Sequence, residues 1–257
     1  MDAVKAKKKL GQHFLTDYHI AQNIVNHLSD DVQAVLEIGP GMGMLTQFLL
    51  QRPNIDLVVV EIDTELAAYL RKHYPTLDEK IIEENFLSLD LSDIFQDKFA
   101  LIGNFPYNIS SQILFKALEY KDSISEIVGM FQKEVALRIA SPPGNKDYGI
   151  LSVLLQAFYT IEYLFSVDAH VFNPPPNVKS AVIRLTRNKV IHLGCNENTF
   201  KRLVKTAFNQ RRKILRNSLK SLSFVDGFTH NSIFEKRPEQ LSVSEFIFLT
   251  NGVINRQ

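Results

Sequence analysis

An amide, a rigid turn and an aromatic ring stand together at Asn104-Phe105-Pro106-Tyr107, directly after the apolar run Phe99-Ala100-Leu101-Ile102. Residues of these types at the end of a buried strand suit the handling of a planar aromatic amine. The exocyclic amine of adenine is a poor nucleophile, because its lone pair is delocalised into the ring. Two acceptors on its N–H groups draw the nitrogen towards a tetrahedral shape and free that pair. The Asn104 side-chain oxygen and the Phe105 carbonyl can supply them. Pro106 confines the residue before it to extended geometry, and Tyr107 offers a face on which a base can stack. An Asn-X-Pro turn packed by aromatics is the competing reading of these four residues alone.

A second group of residues lies upstream. Val35-Leu36-Glu37-Ile38 reads as a strand, Gly39-Pro40-Gly41-Met42-Gly43 as a tight loop, and Met44 to Leu50 as the first turns of a helix. Such a loop lets backbone N–H groups approach a ligand closely. The dinucleotide fingerprint asks for glycine at its sixth position, where this chain has Met44 or Thr46 depending on the register, so the NAD pattern fails. A further strand over Leu57 to Val60 runs into Glu61-Ile62-Asp63, where a carboxylate can hold a ribose diol by paired hydrogen bonds. A lone glycine loop usually marks only a turn. Loop, Glu61 and Asn104 in this order point to a nucleoside-bearing cofactor.

These residues need a scaffold, and strands alternate with helices along the first three-quarters of the chain. Strands are predicted near 33–38, 56–62, 80–83, 99–103 and 124–131, with helices near 44–51, 64–73 and 110–120. Ile20 to Leu28 is predicted helical, and Ser110 or Ser111 is placed to cap the helix after Asn104. Gln132 to Ala140 reads as a helix broken by Ser141-Pro142-Pro143-Gly144. Alternation implies a parallel α/β sheet covered on both faces. Phe158 to Val167 and Ser180 to Arg187 suggest an antiparallel pair at its edge. Between them Pro174-Pro175-Pro176 stiffens a loop from which Phe172 would project, or beneath which it would plug the core. From about residue 188 the pattern turns helical and polar. The expected organisation is a large domain over 1–190 and a small helical one over 191–257.

The single Cys195 cannot form an internal disulfide or the cysteine pair of a zinc deaminase site, and it suits a reducing interior. No run reaches the ~18 apolar residues of a membrane span, and no signal peptide is evident, so a soluble cytoplasmic protein is expected. A net charge of +1 argues against nucleic acid, but its distribution does not. Residues 201–220 hold eight Lys or Arg and no acid, and residues 1–9 add four lysines against Asp2. Setting these aside leaves 17 basic residues against 27 acidic ones, an acidic body with two basic patches. On one continuous helix Lys201, Lys205, Arg212, Arg216 and Lys220 share a face. A solvated helix face is the alternative, though such faces normally mix signs.

Four ordered segments carry a specific resemblance: Gly11-Gln12-His13-Phe14-Leu15, Glu37 to Gly41, Asn104 to Ser110, and Phe172 to Val182. Together they resemble the rRNA adenine N6,N6-dimethyltransferase family over nearly the whole chain, and its bacterial small-subunit (16S) branch most of all. The resemblance implies a Rossmann-like, seven-stranded class I methyltransferase fold with a small C-terminal helical domain. It implies methyl transfer from S-adenosylmethionine to N6 of two adjacent adenosines near the 3′ end of small-subunit rRNA, within a late assembly particle. Cofactor contacts carried over fall on His13, Leu15, Gly39, Glu61, Asn85 and Asn104. Asn85 stands where the family usually has an aspartate that accepts from the cofactor's adenine amine. Tyr107 and Phe172 would sandwich the target base, and Arg211, Arg212 and Arg216 would face RNA. No metal, membrane or second subunit is called for. Resistance-type large-subunit enzymes, a non-catalytic nucleic-acid-binding factor on the same scaffold and an NAD oxidoreductase are the alternatives, disfavoured by the Phe172–Pro176 run, the intact Asn104 motif and Met44 respectively.

Overall fold

Strands covered on both faces have no side to give to water, so they read as unbroken apolar runs. In the computed structural model, which describes residues 4–254, such runs build the centre of a seven-stranded sheet. The first three residues of the basic arm and the last three of the chain lie outside the described residues. In chain order the strands are β1 (Phe14–Leu15), β2 (Ala34–Ile38), β3 (Asp56–Val60), β4 (Ile81–Ile82), β5 (Phe99–Asn104), β6 (Ile124–Gln132), β7 (Tyr159–Val167), β8 (Phe172–Asn173) and β9 (Ser180–Arg187). The large sheet has the order β4-β3-β2-β5-β6-β9-β7, and β1 pairs with β8 in a separate two-stranded sheet. From β4 to β6 every pairing is parallel, and β9 joins β6 antiparallel. Val35, Val59, Ala100, Leu101, Ile102 and Ile127 are fully buried along these strands.

The order of the sheet fixes where a ligand can bind. From β2 the chain winds outward through β3 and β4, then returns to the other side of β2 for β5 and β6. Open α/β sheets take ligands at such a reversal, beyond the carboxyl ends of the strands. Gly39 follows β2 there, and Asn104 ends β5.

Helices α1 (Tyr18–Asn26) and α3 (Thr64–His73) start on Asp17 and Asp63, whose carboxylates accept from Ile20 N–H and Glu65 N–H. The helix after the glycine loop, α2 (Thr46–Leu49), is shorter than the predicted Met44–Leu50, since Gly43 at φ +82° prolongs the turn. α4 (Ser110–Glu119) has no side-chain cap. The Ser110 hydroxyl instead donates to the Tyr107 carbonyl, tying the helix to the motif before it and correcting the expected serine cap.

Two compact units divide the chain: one runs to Ala136 and includes Ile161–Arg187, the other joins Leu137–Thr160 to the residues from Asn188 onward. The later division falls between Arg187 and Asn188, beside the boundary expected at 190, whereas Leu137–Thr160, expected in the first domain, groups with the second unit. Packing is the reason. α5 (Lys133–Ala140) leads into that segment, and its α6 (Ile150–Gln156) packs on α7 (Glu197–Asn209) and α9 (Val243–Asn251). The fully buried Tyr148 ring meets Phe208 at 6.3 Å. α7 buries Phe200, Leu203, Val204 and Ala207, as its apolar face requires. It ends at Gln210, whose φ −122° and ψ 48° leave the helical region, and α8 (Leu215–Ser218) begins anew. The single helical face expected from Lys201 to Lys220 is therefore broken. No helix among the described residues is long and apolar enough to cross a membrane.

Candidate active site

At the reversal between β2 and β5 a cavity opens, lined by Gly39, Gly41, Glu61, Asn85, Asn104 and Tyr107, among others. Gly39 has φ +66°, and a Cβ there would meet nothing nearer than Pro106 at 3.9 Å. The bare glycine leaves the backbone open to a ligand. On the other side of β2, Glu61 is 4% exposed and accepts from the N–H groups of Gly41 (3.2 Å) and Asp63 (3.0 Å). Burial raises the affinity of Glu61 for a proton, and those backbone hydrogen bonds oppose it. An ionised carboxylate offers about four acceptor positions, and two are spent on the backbone. The remainder suit a vicinal diol.

Asn104 closes the opposite end. Its amide nitrogen donates to the His13 carbonyl at 2.9 Å, which leaves the side-chain oxygen as an acceptor. Phe105 donates its N–H to Met130 and buries its ring against Phe131 at 5.1 Å, so its own carbonyl is held by a fixed residue. Room for that ring comes from two glycines that pair across β5 and β6, Gly103 and Gly129. A Cβ on Gly129 would fall 2.3 Å from the Phe105 ring, and one on Gly103 2.8 Å from it. Tyr107 forms a hydrogen bond of 2.5 Å with the hydroxyl of buried Ser180 and stacks on the His13 ring at 5.6 Å. His13 is itself held, its Nδ1 lying 2.7 Å from the Pro174 carbonyl.

The remaining expected cofactor contacts are less uniform. Leu15 lines the cavity but is 4% exposed and paired in β1 with Phe172. Asn85 lines it too, with its side-chain oxygen accepting from Leu87 N–H at 3.1 Å, so the free group it presents is a donor. Phe172 is 3% exposed and packs within the apolar core with Leu15 and Val171, and it is not among the residues lining the cavity. The residue pairs with Leu15 of β1, and of the two readings the proline loop left open the ring adopts the buried one.

The three arginines expected to face RNA are not equivalent. Arg211 donates to the carbonyls of Asn145 and Lys146, and Arg216 pairs with Glu235 and donates to Thr229. Exposed Arg212 has no such partner among the described residues.

With this geometry, the comparisons with known proteins converge. The model of the family described as ribosomal RNA adenine dimethylase matches residues 3–249. The chain belongs to the ribosomal RNA adenine dimethylase family. It is 58% identical over 253 residues to the ribosomal RNA small subunit methyltransferase A of Cytophaga hutchinsonii, covering 98% of each chain. Its counterpart in Bacteroides thetaiotaomicron is 59% identical over 256 residues, covering 98% of this chain and 96% of the relative. Among solved structures, a Plasmodium falciparum dimethyladenosine transferase superposes with TM-score 0.76 at 25% identity, covering 92% of this chain and 96% of that one. The 23S rRNA methyltransferase ErmE gives TM-score 0.66 at 26% identity over 91% and 99%. This dimethylase-family chain has the class I methyltransferase fold.

S-adenosylmethionine, the methyl donor of the family, fits the residues present, with bare Gly39, the unspent acceptors of Glu61 and the Asn104 end in one cavity. Sequence reasoning missed several supports of this site. Lys7 and Gln12 both reach Asp63, at 2.6 and 3.0 Å, tethering the basic arm beside the cavity. Burial pushes the Asp63 carboxyl up, but these bonds and Glu65 N–H hold it below the usual aspartate range. Nothing in the spacing of Lys7, Gln12 and Asp63 signals that contact, because it spans more than fifty residues.

Proposed function

We propose that this protein transfers methyl groups from S-adenosylmethionine to N6 of two adjacent adenosines near the 3′ end of 16S rRNA. Its substrate is a late small-subunit assembly particle in the cytoplasm, and it acts as a monomer. The observation that carries the reading is Asn104: one of its amide hydrogens is held by the His13 carbonyl, which orients the side chain and leaves its oxygen to accept from an amine in the donor cavity.

When bound, the donor supplies an electrophilic methyl carbon on a cationic sulfur. The chain's part is orientation. Asn104 and the Phe105 carbonyl accept the two N6 hydrogens and bring the lone pair out of the ring plane. Near-attack alignment of this kind supplies most of the gain. Tyr107, its hydroxyl fixed by Ser180, gives the base a stacking face. Transfer would form the N–CH3 bond as the S–CH3 bond of the bound donor breaks, the bonding pair staying on sulfur as a neutral thioether, and the proton of the resulting acidic ammonium would pass to water. After the first methylation one N–H remains, so one acceptor stays engaged in the second. The base must leave its stack to enter, costing a few kcal/mol that loop RNA lowers.

High identity to small-subunit methyltransferases, against 26% to the 23S enzyme, supports the small-subunit substrate. Labelled methyl transfer to unmethylated small subunits, set beside large-subunit RNA, tests this. Two methyl groups on each of two small-subunit adenosines are expected, and label on large-subunit RNA alone overturns the assignment.

A further inference from the structure

Lys116 is 8% exposed, an unusual place for a lysine unless it is paired. No carboxylate forms an ion pair with it among the described residues. Its Nζ instead donates to the carbonyls of Leu87, at 3.0 Å, and Leu89, and lies 5.4 Å from the centre of the Phe86 ring. Leu87 is thereby held from both sides, because its N–H donates to the Asn85 side-chain oxygen at 3.1 Å. The turn Glu84–Leu87 lines the donor cavity, whereas Lys116 does not.

The sheet order says what that turn meets. Moving outward from β5 through β2 and β3 to β4, the cavity passes Asn104, Gly39, Glu61 and then the turn at Asn85. With the reacting carbon at Asn104 and the ribose at Glu61, the nucleobase lies beyond, against Asn85 to Leu87. We propose that Lys116 is a positioning residue for the nucleobase end of the donor, acting through Leu87 to set the Asn85 amide. α4 then serves both ends of the cavity: its first turn is tied to Tyr107, and its later turn anchors the base-facing loop.

This rests on the donor reading above, and titration calorimetry on the full chain separates the two. Wild-type protein, Lys116→Met, Asn85→Ala and the double variant are titrated with S-adenosylhomocysteine and with methylthioadenosine. Lys116→Met is expected to weaken both ligands about tenfold, the scale of a hydrogen bond to a charged group. The same loss should appear in the donor KM and not in kcat, and should be non-additive with Asn85→Ala, as coupled neighbours are. Unchanged affinities, or strictly additive losses, overturn the role of Lys116. Failure of the wild type to bind S-adenosylhomocysteine overturns the donor reading instead. Should Lys116→Met not fold, hydrogen exchange on the ligand-free wild type decides: protection of the Leu87 amide is expected, and exchange at the rate of a free loop overturns the proposal.

Discussion

Asn104 donates an amide hydrogen to the His13 carbonyl, and that bond orients the side chain so that its oxygen is available to accept from the proposed substrate amine. Asn104→Ala should lower single-turnover methyl transfer about 100-fold or more, the scale of losing one preorganised polar partner. RNA affinity by filter binding should stay within about twofold, and equal transfer rates would remove Asn104 from the chemistry. Glu37 makes a different residue-scale prediction. Fully buried at the end of β2, it accepts from the Thr46 hydroxyl at 2.7 Å, and its other oxygen has no partner. Burial, opposed by Thr46 and reinforced by Glu61, pushes its carboxyl from 4.5 up to about 8. The folded protein thus keeps a proton that the unfolded chain releases near pH 4.5. Stability from this group is lost as pH rises from about 4.5 to 8 and levels off above. Glu37→Gln, which keeps an acceptor for Thr46, should flatten that decline. That decline is worth about 3 kcal/mol between pH 5.5 and 8, so melting followed by circular dichroism should show the wild type losing about 6–12 °C more than the variant over that range.

At the scale of elements, the parallel strands were legible because their apolar runs are unbroken, and Asn104–Tyr107 was legible because a strand end is where such residues are useful. Phe172 was not. Which way its ring turns depends on pairing with Leu15, more than 150 residues away, and no local pattern encodes that. The basic segment failed for the opposite reason: residues 201–220 contain no glycine or proline, yet the backbone leaves the helix at Gln210. The Gly103–Gly129 pair gives this scale its prediction. The atoms nearest a Cβ on Gly129 are all aromatic, whereas one on Gly103 comes 2.6 Å from the Ile38 carbonyl. Gly129→Ala should cost about 1–3 kcal/mol by overpacking. Phe105→Leu, which vacates the ring's space, should recover most of that in chemical denaturation. A double variant as unstable as the two single changes summed would show that the sites do not share this volume.

Across the whole molecule, acidic and basic residues are segregated, and the arginines of the second unit divide into braced and unbraced. Arg216 is matched by Glu235, so its charge is largely answered within the fold. Arg212 is exposed and unmatched among the described residues. Arg212→Glu should weaken binding to small-subunit particles and lower the salt slope by about one, as losing one phosphate contact does. Arg216→Ala should change the slope less, and the reverse ranking would place the RNA contact elsewhere. The sequence shows the segregation of charge but not which cations the fold has already paired. The pairing of β1 with β8 also carries a temporal consequence. A polypeptide emerging from the ribosome displays His13 early, but the strand that fastens it appears only with Phe172 and Asn173. Nascent chains halted before that point carry Asn104 without the anchored His13 backbone that orients its amide. Methylating competence should therefore arrive late in synthesis and all at once, leaving incomplete products as silent bystanders.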